Sequence, residues 1–166
     1  IDVLLVIVIF LMVTTTYSKF TALQVTLPTA DAQKALEDKG HSVEVLLMDN
    51  LKADVFERSG TFLICTSTYG QGDVPDNARD FLADLQAVKP DLTGKLVGII
   101  GLGDTTYQDT FNHGGEQFEK GLRALNATIV GERMQHNASS GTLPEEDGVA
   151  WALAWAEQVE PLAKAA

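Results

Sequence analysis

Thr66-Ser67-Thr68-Tyr69-Gly70-Gln71-Gly72-Asp73 is a polar, glycine-bearing stretch between two unlike segments. Ahead of it runs Thr61-Phe62-Leu63-Ile64-Cys65, apolar and strand-forming; behind it Val74-Pro75-Asp76-Asn77 leads into a helical pattern. A polar loop between the carboxyl end of a buried strand and a helix is where open α/β sheets bind ligands. The hydroxyls of Thr66, Ser67 and Thr68 offer hydrogen bonds to a polar ligand. Gly70 and Gly72 let the backbone approach closely and allow a peptide to reorient without a Cβ clash. A flat Tyr69 ring beside such a backbone suits a flat heteroaromatic cofactor. The same residues equally compose a glycine turn with one surface tyrosine, and the loop alone does not decide between the two.

A second stretch shifts the balance. Leu96-Val97-Gly98-Ile99-Ile100 is another buried-strand run, and it feeds Gly101-Leu102-Gly103-Asp104-Thr105-Thr106-Tyr107-Gln108-Asp109. Again a strand ends in glycines, polar groups and one tyrosine ahead of a helix. Two such loops can present rings to opposite faces of one planar ligand. Thr68-Tyr69-Gly70-Gln71-Gly72-Asp73 and Gly101-Leu102-Gly103-Asp104-Thr105-Thr106-Tyr107 resemble the two flavin loops of the flavodoxin-like family. The MioC-type flavodoxins and the FMN domains of sulfite reductase and cytochrome P450 reductase are the most similar branches. The resemblance runs from about His41 to Val159 and is poor over the first forty residues.

The resemblance implies FMN as cofactor. Thr14, Thr15, Thr16 and Ser18 correspond to the loop that surrounds the phosphate, although the glycine usual after the threonines is replaced by Tyr17. Hydroxyls and free amides at a helix start suit such an anion. Tyr69 and Tyr107 correspond to the rings stacked on the two flavin faces. Gly70 corresponds to the glycine whose carbonyl turns toward flavin N5 when that nitrogen is protonated, which favours one-electron chemistry. Leu102, Gly103 and Asp104 correspond to contacts along the ring edge or ribityl chain. Asp73, Asp76, Asp104 and Asp109 crowd the same region. One carboxylate about 8 Å from an anionic reduced flavin, at an effective dielectric near 20, costs ~2 kcal/mol, so the carboxylates favour a reducing carrier. Solvated capping carboxylates are the plainer alternative for the same four residues.

Composition agrees with this and excludes other classes. The 166 residues suit a single domain spanning 1–166 with a real core. Twelve basic against 23 acidic side chains give a net charge of −11. That argues against nucleic acid, which demands a basic face, and favours encounter with basic surfaces of a reductase and of an electron-acceptor enzyme. A monomer is expected. The single cysteine, Cys65, permits no internal disulfide, which fits a reducing, cytoplasmic setting. His41, His113 and His136 lie too far apart in sequence to set metal-ligand spacing. Residues 1–13 are almost wholly apolar. They fall short of the ~20 needed to span a bilayer and lack the basic start of a secretion signal. A parallel strand covered on both faces accounts for them, without a membrane.

Along the chain, strand one runs into the threonine loop, and the first helix is expected broken or displaced by Pro28, resuming around Thr29 or Ala30. Ala30–Lys39 reads as helix, His41–Met48 as strand, Asp49–Ser59 as a short helix or turn, and Thr61–Thr66 as strand. Ala78, Phe81, Leu82, Leu85 and Val88 mark one helix face, followed by the strand Lys95–Ile100. Phe111, Phe118, Leu122 and Leu125 mark another helix, Ala127–Val130 a fifth strand, Glu132–Thr142 a polar loop, and Pro144 opens the last helix. Trp151 and Trp155 of that helix are expected to pack on the sheet. Alternating strands and helices imply a doubly wound flavodoxin-like three-layer α/β sandwich, with a five-stranded parallel sheet in the order 2-1-3-4-5.

Receiver domains share that order, but they need an acidic phosphate acceptor at the end of strand three, where Cys65 and Thr66 stand. The expected function is an FMN-binding one-electron carrier rather than a stand-alone enzyme. An FMN-dependent NAD(P)H quinone reductase and a flavin-free interaction module are the competing readings.

Overall fold

Continuous apolar runs become parallel strands with helices on both faces. The computed structural model describes residues 6–11 and 28–165. The elements are β1 (Val6–Leu11), α1 (Pro28–Asp38), β2 (Ser42–Leu47), β3 (Thr61–Ser67), α2 (Asp76–Val88), β4 (Leu96–Gly103), α3 (His113–Ala124), β5 (Thr128–Ile129), β6 (Met134–Asn137) and α4 (Pro144–Ala165). Short 3₁₀ turns lie at Ala53–Glu57, Gln108–Thr110 and Ala138–Ser140. The sheet is parallel throughout, in the order β2-β1-β3-β4-β5, and β6 also pairs with β4.

β3 shows why these residues make a central strand. Its side chains alternate between two cores, as a period of two requires. Phe62 and Ile64 join Phe56, Phe81, Phe118 and Leu122 on the α2/α3 side. Leu63 and Cys65 join Leu36, Trp155 and Val159 on the α1/α4 side. Phe56 packs against Phe62 at 4.8 Å between ring centroids, and Phe81 against Phe118 at 6.0 Å. On the other face Trp155 is almost fully buried and lies directly on β4: a Cβ at Gly98 would come within 2.5 Å of its indole. Trp151 stacks on Trp155 at 6.0 Å. The tryptophans therefore pack on the sheet, as their helical spacing predicts.

Pro28 is the first residue of α1. Its fixed φ is compatible with the first turn of a helix, and among the described residues α1 begins there. Residues 12–27 lie outside the described residues, and with them Thr14, Thr15, Thr16 and Ser18.

One expectation needs correction. The fifth strand is not a single segment, and residues 132–142 are not all loop. β5 pairs with the start of β4 through Leu96 and Val97, and β6 pairs with its end, from Ile100 to Gly103. Between them Gly131 takes φ +72°, which breaks the strand. β6 itself alternates, with Met134 and His136 buried and Gln135 exposed. Among the described residues the sheet thus has six strands, the last two being pieces of one edge.

Candidate functional site

β3 and β4 are neighbours in register, with Ser67 opposite Leu102, so their carboxyl-end loops emerge side by side. The amide of Thr68 donates to the Leu102 carbonyl at 2.9 Å, extending the ladder one step into the loop. Beyond it the chain closes on itself. Tyr69 and Asp73 exchange backbone hydrogen bonds of 2.8 Å, and the Gly72 amide donates to the Tyr69 carbonyl at 3.2 Å. Gly70, at φ +56°, and Gly72, at φ +99°, supply left-handed conformations that this tight loop requires.

The start of α3 clamps the loop from behind. The Gly114 amide donates to the Thr68 hydroxyl at 3.1 Å, and Gln117 Nε2 donates to the Gly72 carbonyl at 2.7 Å. The His113 ring packs on Gly72, where a Cβ would meet Nδ1 at 2.9 Å. Close approach is possible because α3 opens with glycines. Asn112, fully buried with φ +60°, sits against Gly101 of β4.

The second loop is built differently. The Tyr107 amide donates to the Asp104 carbonyl at 3.0 Å, and the Asp104 carboxylate accepts from the Thr106 amide at 2.8 Å. A third segment fastens it. Asn137 Oδ1 accepts from the amides of both Thr105 and Ser139, each at 3.0 Å. The Ser139 hydroxyl donates to Asp104, and the Thr106 and Ser139 hydroxyls lie 3.2 Å apart. The Ala138–Ser140 turn is thereby pinned against the Asp104–Tyr107 loop.

The structure brings Ser67, Thr68, Tyr69, Gly70, Gly72, Leu102, Gly103, Asp104 and Tyr107 together at the carboxyl end of the sheet. Thr66 belongs to the same strand end but is buried, and its hydroxyl lies 3.2 Å from the Ser67 carbonyl. Each loop leaves one large ring in solvent: Tyr69 is 47% exposed and Tyr107 66%. Sequence reasoning missed Asn137 and Ser139 as supports of the second loop, Asn112 against Gly101 and Gly103 ahead of it, and Gln117 behind the first. The Asn-Ala-Ser pattern at 137–139, an Asx turn in which Asn137 Oδ1 accepts from Ser139 two residues on, was the available signal for the first pair.

Hydrogen bonding from Ser139, and then from Thr106, holds the Asp104 carboxyl below its ordinary range. The folded state thus binds fewer protons there than the unfolded chain. The stabilisation is fully present above the unfolded value, about pH 4, and is lost as pH falls through the lower folded one. Asp104→Asn is expected to shift the denaturation midpoint downward at neutral pH, and the difference from wild type is expected to shrink in acid. A difference independent of pH would remove the charge from this role.

Cys65 is buried, and desolvation pushes its thiol up to about 11. Among the described residues no cluster of three or more histidine, cysteine or carboxylate side chains is placed to hold a metal. None of their helices is long and apolar enough to cross a membrane.

The model of the family described as Flavodoxin matches residues 30–151. Protein MioC of Escherichia coli K12 is 36% identical over 123 residues, covering 72% of this chain and 80% of that protein. NADPH–cytochrome P450 reductase of Sus scrofa is 39% identical over 89 residues, 54% of this chain and 13% of that much longer protein. Among solved structures, a cysteine-to-alanine mutant of flavodoxin from Pseudomonas aeruginosa superposes with a TM-score of 0.77 at 27% identity, covering 94% of this chain and 99% of that one.

Proposed function

Because the chain belongs to the flavodoxin family, we propose that it binds FMN across the ends of β3 and β4. In this reading it carries single electrons from a reductase to an acceptor enzyme. The observation that carries this reading is the pair of exposed rings, Tyr69 and Tyr107, one on each of two adjacent strand-end loops. The residues present fit a flat, polar-edged cofactor. Two rings with free faces suit stacking, and the Gly70–Gly72 turn exposes backbone groups beside them. FMN, when bound, supplies a group that accepts one or two electrons.

The chain's own residues do the rest. Tyr69 and Tyr107 cover the ring system and exclude water. Ser67, Thr68, Gly70, Gly72, Leu102 and Gly103 line its edge. Asp104 keeps the second loop in place through Ser139 and Thr106. Thr14, Thr15, Thr16 and Ser18 hold the phosphate end. The net charge of −11 opposes accumulation of negative charge and steers the protein toward basic docking surfaces on both partners. The carrier works as a monomer in the cytoplasm.

Stepwise anaerobic reduction of the purified protein, followed by absorption and electron paramagnetic resonance, tests this. A flavin spectrum with a radical signal at half-reduction is the expected result. Reduction straight to the two-electron level, with NAD(P)H turnover on a quinone, would favour an enzyme instead. A colourless protein that takes up no added FMN would leave a flavin-free interaction module.

A further inference from the structure

β6 presents neighbouring side chains to two different tasks. His136 is 4% exposed and shares the buried side of β6 with Met134, toward α4. Its Nδ1 lies 2.8 Å from Asp147 Oδ2 in the first turn of α4. An ionised carboxylate only accepts hydrogen bonds, so Nδ1 carries the proton. The same Asp147 oxygen accepts from the Thr142 hydroxyl at 2.7 Å, and Thr142 in turn lies 2.7 Å from the Ser140 hydroxyl. The next residue of β6, Asn137, reaches the other way and holds the amides of Thr105 and Ser139. Ser139 extends this second group to Asp104 and Thr106.

The result is two sets of polar contacts joined through the backbone of β6 and the Ala138–Ser140 turn. One runs from the buried imidazole through Asp147 and Thr142 to Ser140; the other runs from Asn137 and Ser139 to the backbone that presents Tyr107. Apart from His136, their members are exposed or only partly buried, where single hydrogen bonds compete with water and hold little by themselves. His136 supplies what they lack, a contact fixed by packing. If the imidazole shifts, the ladder to Gly103 is what remains to place Asn137, and the hold of its side chain on the Thr105 amide loosens.

We propose that His136 is a positioning residue for the cofactor site: held by Asp147 of α4, it fixes the end of β6, whose next residue, Asn137, sets where the Tyr107 loop stands. This rests on the flavin reading for its consequence, though not for the coupling itself. A residue that merely fills the space between β6 and α4 would alter stability and leave the Tyr107 loop unchanged.

Two readouts separate these. In flavin-free protein, hydrogen exchange of the Thr105 and Thr106 amides reports the loop directly. In the same preparations, fluorescence titration reports FMN affinity. His136→Leu fills the space but donates no hydrogen bond, and is expected to speed exchange at both amides and weaken FMN binding, each by about tenfold. His136→Asn places an amide donor near the Nδ1 position. It is expected to restore both readouts to near wild type, despite the smaller side chain and a lower Tm. Should the leucine variant fail to fold, Thr142→Val, which removes the other donor to the Asp147 oxygen that holds His136, is expected to move both readouts in the same direction by about threefold.

Unchanged exchange in a folded His136→Leu or Thr142→Val protein overturns the coupling. So does an asparagine variant as impaired as the leucine one. Altered exchange with unaltered FMN affinity overturns the positioning role. A wild-type protein that binds no FMN while the exchange results hold would refute the flavin reading and leave the coupling standing.

Discussion

Gly114→Ala is expected to destabilise the protein by about 2 kcal/mol, although alanine is the better helix former. Gly114 lies in the first turn of α3. A Cβ there would sit 2.4 Å from the Ser67 carbonyl oxygen. That oxygen is backbone at the end of β3 and cannot swing aside as a flexible side chain does. Either the helix start or the strand end must move, and overpacking of this kind typically costs ~1–3 kcal/mol. Relief of the glycine penalty returns only up to ~1 kcal/mol. Gly121 of the same helix provides the control, because its Cβ would meet Leu82 at an ordinary 3.6 Å. Gly121→Ala is expected to stabilise by ~0.5–1 kcal/mol. Urea denaturation with an unchanged slope measures both. Equal stability of Gly114→Ala and wild type would mean that α3 is not seated on the strand end as described. The same displacement separates the Gly114 amide from the Thr68 hydroxyl, so weaker FMN binding is expected alongside.

That close approach was not legible in the sequence, whereas the strands it touches were. Thr61–Cys65 and Leu96–Ile100 read as buried strands because both faces are covered, which leaves continuous apolar runs. The two tyrosine loops read as a site because each combines a strand end, glycines and one ring. α3 read as a helix from Phe118 and Leu122, but nothing in His113-Gly114-Gly115 announces that the helix lies directly on β3 and β4. Glycine there looks like a poor helix start until the distance to Ser67 is known. β6 escaped notice for a different reason. Met134-Gln135-His136-Asn137 alternates for only four residues and contains three polar side chains. Its burial depends on α4 and on β4, both distant in sequence. The Asn137–Thr105 and Ser139–Asp104 contacts bridge 32 and 35 positions, so no local pattern encodes them.

Tyr107→Ala is expected to weaken FMN binding about a hundredfold, and Tyr69→Ala somewhat less. Tyr107 is 66% exposed and Tyr69 47%, so Tyr107 has more ring surface for a ligand to cover. Covering roughly 80–100 Å² of apolar surface contributes ~2–2.5 kcal/mol. Stacking adds ~0.5–1.5 kcal/mol, and ~1.4 kcal/mol corresponds to a factor of ten in Kd. Tyr107→Phe keeps the ring and is expected to bind nearly as well as wild type. Because both tyrosines project into solvent, their truncation should change folding stability by no more than ~0.5 kcal/mol. Loss of binding is then separable from loss of fold by measuring Kd and the denaturation midpoint on the same samples. Unchanged FMN affinity in both alanine variants would remove stacking from the site. A phenylalanine variant as weak as alanine would transfer the effect from the ring to the phenol. If instead the two alanine effects combine to less than their sum, the two rings share one ligand surface. That sub-additive result is expected if they cover opposite faces of one cofactor, since a cofactor loosened on one side gains less from the ring that remains.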